Sequence, residues 1–366
     1  MIVIGADPHK NTHTLAAVDA ATGEQLDVVT VAATRAGSER ALRWAGGLGE
    51  GERVWAIEDC RHVSGRFERE LIGCGQRVVR VAPRLMAGAR RSARERGKSD
   101  PIDALAVARA ALREGVDRLP CACLEGRSLE IRLLLDHHDD LVAQRSDTQR
   151  RLRWHLHDLF DDLPIPPGAL DRTVWLDKIA RRLARCEQTV RGRIARDQVN
   201  AIRAATRRIR ELEREIAALV ELEAPQLLAE TGCGPLTAAK LIGEIAGADR
   251  FASDAKLART AGVAPIPVSS GRRDRHRLDR GGNRQLNLAL HRLAVNKARL
   301  CPQTAAYLER KQAEGKSRME ALRCLKRHLA RRVWHLLTDP ADQAMTMTTN
   351  PTINNANAPQ PAPALT

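Results

Sequence analysis

Apolar residues in the first 115 positions fall in short runs whose spacing switches between two and about 3.6. Ile2 to Ile4 opens a strand, and Thr12 to Val18 with Leu26 to Val31 flank the turn-rich Asp19-Ala-Ala-Thr-Gly23 as a hairpin. The spacing predicts helices over 38–48 and 63–72, with short buried strands over 54–57 and 78–81. A further helix starts at Asp100-Pro101 and runs to about Leu112. The order is βββαβαβα, which predicts a mixed sheet covered by helices.

From 116 to 225 the pattern is helical. Ile202, Ile209 and Ile216 recur every seven residues, interleaved with Ala205, Leu212 and Leu219. Three heptads fit either a coiled coil or an amphipathic helix packed on its own chain. Residues 226–338 read as a second globular unit, mainly helical, with a loop from Ala264 to Gly282. Beyond Asp342 there is no charged residue, and the polar, Pro-rich run to Thr366 predicts a disordered tail over 339–366. The division is therefore 1–115, 116–225, 226–338 and tail. The fold class is α/β plus α.

Charge narrows the partner. The 366 residues carry 60 Lys plus Arg against 45 Asp plus Glu, a net of +15 that predicts a polyanionic partner. The excess is uneven: 226–366 holds 22 cations and 11 acids, while 1–115 holds 18 and 15. Within the middle, 178–214 is basic, with 12 cations against 4 acids, and is suited to phosphate contact. Arg supplies 51 of the 60 cations, a bias that either genome composition or bidentate phosphate recognition explains. Only 9 residues are aromatic, which argues against a base-stacking platform. No apolar run reaches membrane-spanning length and the N-terminus lacks signal-peptide order, so a membrane role is not expected. The eight cysteines form no CxxC pair and no zinc-like spacing, which points to reduced thiols and a cytoplasmic location.

Four acids sit where the predicted strands and helix converge. Asp7 ends the first strand, Glu58 ends the fourth, and Asp100 and Asp103 share a face of the last helix. Clustered carboxylates repel unless a cation joins them, and hard oxygen donors suit Mg²⁺ or Mn²⁺. The bland alternative is helix capping, since Asp100-Pro101-Ile102-Asp103 is also a good helix start. Downstream, Gly232-Cys233-Gly234-Pro235 forms a tight turn. It either offers backbone N–H groups to a phosphate or is a plain packing corner. The segment Gly271 to Arg284 then holds six Arg and two Asp, headed by Ser269 and Ser270. Arg272, Arg273, Arg275, Arg277, Arg280 and Arg284, with Lys98, Gly232 and Gly234, are the candidate nucleic-acid contacts.

Three stretches carry a resemblance: Ile4-Gly5-Ala6-Asp7-Pro8-His9-Lys10, Ala56-Ile57-Glu58, and Lys98-Ser99-Asp100-Pro101-Ile102-Asp103-Ala104. They resemble the DEDD signature of the RuvC-like insertion-sequence transposases of the IS110 type, related to the pilin-gene invertases. The stretch from Gly232 through Ser270-Gly271 and Arg280-Gly281-Gly282-Asn283 is similar to the C-terminal domain of the same family. The resemblance implies an RNase H-like (RuvC-like) N-terminal fold, with Asp7, Glu58, Asp100 and Asp103 as a quartet binding Mg²⁺ or Mn²⁺. It also implies a serine nucleophile, Ser270 with Ser269 as alternative, and DNA strand cleavage and exchange. A noncoding guide RNA and a homo-oligomer, dimer or tetramer, are further implied partners. Two other readings stay open: a RuvC-like nuclease acting by metal-dependent hydrolysis, and a non-catalytic architectural DNA-binding protein.

Overall fold

The computed structural model describes residues 1–58, 61–81, 85–86, 99–122, 126–187, 189–268, 276–277, 279 and 282–338. The tail predicted over 339–366 lies outside them. Five strands form one sheet: β1 (Ile2–Pro8), β2 (Thr12–Asp19), β3 (Gln25–Ala32), β4 (Arg53–Glu58) and β5 (Arg77–Val81), in the order β3-β2-β1-β4-β5. β2 is antiparallel to β1 and β3, whereas β4 runs parallel to β1 and β5. This is the mixed sheet that the alternation predicts, in the RNase H-like arrangement. The Asp19 carboxylate accepts the backbone N–H groups of Ala21 (2.8 Å) and Thr22 (2.9 Å), which fixes the turn between β2 and β3.

Period-two alternation assigns each strand residue to a side. Ile4, Ala6, Leu15, Trp55 and Ile57 bury against α1 (Arg35–Gly46) and α2 (Arg61–Gly73). On that side Arg80 donates to Glu68 Oε2 at 2.8 and 3.0 Å, and Ser64 Oγ donates to Glu68 Oε1 at 2.5 Å. Val3, Val18, Val54, Ala56 and Val79 face the other way, onto the Ala-rich helix α3 (Asp100–Glu114). Gly5 sets how close α3 comes. A Cβ there would stand 2.1 Å from the Ala104 carbonyl oxygen and 2.5 Å from the Ala108 nitrogen. Only glycine permits that approach.

Two long helices follow, α4 (Arg127–Leu159) and α6 (Val190–Glu223), with α5 (Thr173–Arg185) between them. Leu152 and Leu156 of α4 cluster with Ala195, Val199 and Ile202 of α6, while Ile131 and Leu135 cluster with Leu212, Ile216 and Val220. The two helices are therefore antiparallel. The heptad positions Ile202, Ile209, Leu212 and Ile216 are all buried within this chain. At its far end the pair enters the core of the remaining helices: α7 (Pro225–Ala229), α8 (Pro235–Ile245), α9 (Asp254–Thr260), α10 (Arg284–Leu300), α11 (Pro302–Ala313) and α12 (Arg318–Thr338). Two two-residue strands, β6 (Ile266–Pro267) and β7 (His276–Arg277), pair inside the predicted loop. Arg250 donates to the Cys121 carbonyl at 3.2 Å and Arg259 lies 3.8 Å from Glu114, which joins these helices to the edge of the sheet unit.

Candidate active site

β1 and β4 are parallel neighbours, so their C-terminal ends meet at one edge of the sheet. Asp7 follows Val3 and Gly5 in the alternation, and Glu58 follows Val54 and Ala56, so both carboxylates belong to the face that packs on α3. The approach allowed by Gly5 brings the first turn of α3 to the same place. Asp103 is buried there and Asp100 stands exposed at the rim. Ser99, not Asp100, occupies the N-cap position and makes no side-chain capping bond. The capping explanation therefore does not account for Asp100, although the helix N-terminus favours both acids electrostatically.

Asp7 feels the other three carboxylates. The Asp7 carboxyl is pushed up to about 6, first by burial and then by the negative charges of Asp103, Glu58 and Asp100. His9 pulls in the opposite direction. Its Nδ1 lies 3.7 Å from Asp7 Oδ2 and its Nε2 lies 3.8 Å from Asp100 Oδ1. His9 belongs to the Asp7-Pro8-His9-Lys10 element but is not among the site residues that the sequence predicts. Only its neighbourhood to Asp7 in that element signals it. One ligand atom from each of Asp7, His9 and Asp100 lies within 4.8 Å of the other two. Two carboxylates and an imidazole within reach of one ion, with Glu58 and Asp103 acting on Asp7 from nearby until it resists ionisation, fit a divalent cation.

The C-terminal residues are dispersed differently. Gly232 adopts φ +89°, and a Cβ on it would stand 2.7 Å from the Lys297 backbone nitrogen. Packing against α10 thus accounts for this glycine. The corner is fixed by the buried Glu230, which pairs with Lys297 and with Arg332 at 3.2 Å. Burial opposes the Glu230 charge, but these two cations hold its carboxyl below the usual range. Gly234 is exposed at the N-terminus of α8 with open space around it. Arg277 and Arg284 are exposed on β7 and at the start of α10. Ser269, Ser270, Arg272, Arg273, Arg275, Arg280 and Lys98 lie outside the described residues.

The end of the Arg-Gly-Gly-Asn element has a clear local role. A Cβ on Gly282 would stand 2.2 Å from the Gly262 nitrogen, so two backbones touch there. Asn283 caps α10 by accepting the N–H groups of Gln285 (2.9 Å) and Leu286 (3.0 Å). Its Nδ2 donates to Glu244 Oε2 at 2.6 Å.

Among the described residues the six cysteines are free thiols, and no helix is long and apolar enough to cross a membrane. A family profile for DEDD transposases of the IS110 type matches residues 4–161, and the profile of the transposase IS116/IS110/IS902 family matches 224–309. The chain is 28% identical to the "Insertion element IS116 uncharacterized 44.8 kDa protein" of Streptomyces clavuligerus, over 92% of this chain and 95% of that one. It is 27% identical to the "Insertion element IS900 uncharacterized 42 kDa protein" of Mycobacterium paratuberculosis, over 80% and 84%. A solved structure, T. thermophilus RuvC in complex with Holliday junction substrate, is 17% identical with a TM-score of 0.26. It covers 33% of this chain and 99% of that chain. The class defined is that of DNA-processing enzymes of insertion sequences. The chain belongs to the IS110 family of transposases.

Proposed function

We propose that this transposase cuts and exchanges DNA strands with two sets of residues, the carboxylates Asp7, Glu58, Asp100 and Asp103 and a nucleophilic Ser270. The observation that carries the first set is the convergence of four acids at one sheet edge, where Asp7 is pushed up to about 6. Mg²⁺ or Mn²⁺ held there would offset the charge that develops on a transferring phosphoryl group. Asp7 and Asp103, buried under the edge, fix the position of the site; Asp100 and His9, at the rim, face an approaching backbone. The serine assignment is supported by the family resemblance and by the Arg-rich segment around it. Ser270 Oγ would bond to phosphorus as the bond to the departing strand oxygen breaks. The serine gives up its proton and the departing oxygen gains one. Such a linkage conserves the phosphodiester energy and permits exchange. The same resemblance supports a guide RNA and a homo-oligomeric assembly, with the basic 178–214 helices available to an RNA backbone.

The test is to trap a covalent protein–DNA adduct and map the linked residue. Linkage at Ser270, lost in Ser270→Ala together with strand exchange, is expected. Full exchange by Ser270→Ala would instead favour hydrolysis at the carboxylates, with the C-terminal unit serving only to bind.

A further inference from the structure

Buried lysines in the C-terminal helices are held in two different ways. Lys240 is 4% exposed and meets Asp139 at 2.9 Å and Asp136 at 3.6 Å. Lys297, itself partly exposed, pairs with the buried Glu230. Lys326 on α12 is almost as deeply buried as Lys240, at 6% exposed, yet no carboxylate among the described residues pairs with it. Among the described residues its Nζ donates to a single oxygen, Asn287 Oδ1 on α10, at 2.7 Å. Asn287 in turn donates to the Ala261 carbonyl at 2.8 Å, so the amide is fixed and cannot turn away. An ammonium carries three N–H donors, and a buried charge is costly unless it is compensated.

Lys326 also separates two cavities, one of about 790 Å³ and one of about 430 Å³, and lines both. Three other cations around the larger cavity are already engaged, Arg323 by Glu320 at 3.6 Å, Arg327 by Asp254 at 3.3 Å, and Lys311 by Glu314 at 2.7 Å, whereas Lys316 at its edge has no carboxylate partner among the described residues. Arg277, exposed on β7, lines the larger cavity without a carboxylate partner among the described residues. One acid, Asp279, borders both cavities. Burial and the charge of Arg323 hold the Lys326 ammonium below the usual lysine value, as expected where a counter-charge is missing.

We propose that this wall is a pocket for one backbone phosphate of DNA, with Lys326 as its buried cation and Arg277 at its rim. The pocket deepens the DNA-processing reading and rests on it. A phosphate supplies the charge and the acceptor oxygens that Asn287 alone does not, and it requires no particular base.

The experiment is a salt series of duplex-DNA affinity with the full chain in EDTA, comparing wild type, Lys326→Met and Lys326→Arg. Lys326→Met is expected to bind about five- to tenfold more weakly at 0.1 M salt and to lower the slope of log K against log[salt] by about one. Lys326→Arg is expected to retain the slope. An unchanged slope in a folded Lys326→Met, or equal losses in both variants, overturns the pocket. If Lys326→Met does not fold, Arg277→Met carries the test with the same expected fall, and an unchanged slope again overturns it. A parallel series with duplex RNA in which only RNA binding falls would overturn the assignment to DNA. Wild type with no salt-dependent DNA affinity would instead overturn the reading beneath the proposal.

Discussion

The sheet edge around Asp7 and the helical wall around Lys326 both bury a charge that the rest of the molecule would neutralise. Elsewhere the chain supplies an opposite charge at short range, as in Arg80 with Glu68, Lys240 with Asp139 and Lys297 with Glu230. Asp7 instead faces three other acids and a half-exposed imidazole, and Lys326 faces an amide. Paired buried charges fix helices to one another. Among the described residues these two buried charges have the signs that the proposed chemistry needs, negative at the candidate metal site and positive at the proposed phosphate pocket. Formal charge follows the same division, nearly balanced over 1–115 and strongly positive over 226–366.

The comparison is broken most directly at the acidic end. Asp7→Asn and Glu58→Gln are each expected to lower DNA strand cleavage by at least about a hundredfold, with DNA affinity kept within about twofold. A gel assay for nicked product checks this; retained cleavage in Asp7→Asn would reduce the carboxylates to structural acids.

A second way to separate chemistry from scaffold is Gly5→Val. It touches no carboxylate, yet its side chain would meet the α3 backbone at Ala104 and Ala108. We expect a loss of about 3 kcal/mol in urea unfolding, from overpacking, and loss of cleavage because the turn carrying Asp100 and Asp103 is displaced. A stable, active Gly5→Val would show that the close approach of α3 does not position the site.

At the paired end the expected effect is smaller. The hydrogen bond from His138 first, then Lys240, holds the Asp139 carboxyl down to about 2. The folded value lies below the unfolded one, so this carboxylate stabilises the fold at pH values above its ordinary range and loses that contribution as pH falls towards 2. Asp139 is 44% exposed, and solvent screening reduces the effect. Asp139→Asn is expected to cost about 1 kcal/mol at pH 7, and the gap to wild type is expected to close between about pH 4 and pH 2. Thermal unfolding over that range checks it, and a gap independent of pH would show that packing, not charge, is lost.

Much of the N-terminal architecture was legible in the sequence because its signals are local. Alternation in Val3-Ile4-Gly5-Ala6-Asp7 and in Val54-Trp55-Ala56-Ile57-Glu58 puts both terminal acids on one face, and a three-residue spacing does the same for Asp100 and Asp103. What periodicity does not carry is which distant segment covers a face. The heptads of α6 were compatible with a second chain, and it is α4 of the same chain that buries them. Gly5 matters because of Ala104 and Ala108, a hundred positions away, and Lys326 because of Asn287. His9 reaches the site because a two-residue turn, closed by its N–H donating to the Thr12 carbonyl at 2.8 Å, returns the chain over the end of β1. No pattern of residue types encodes that return.

Divalent-cation binding by the full chain tests the central claim most directly, since it asks whether the converging acids hold a metal before any DNA is present. Titration calorimetry with Mn²⁺ at pH 7.5 is expected to show binding to the wild-type protein. In Asp7→Asn the affinity is expected to be weaker by about tenfold or more, as for loss of a charged ligand. Equal Mn²⁺ affinity in the two proteins would contradict the account.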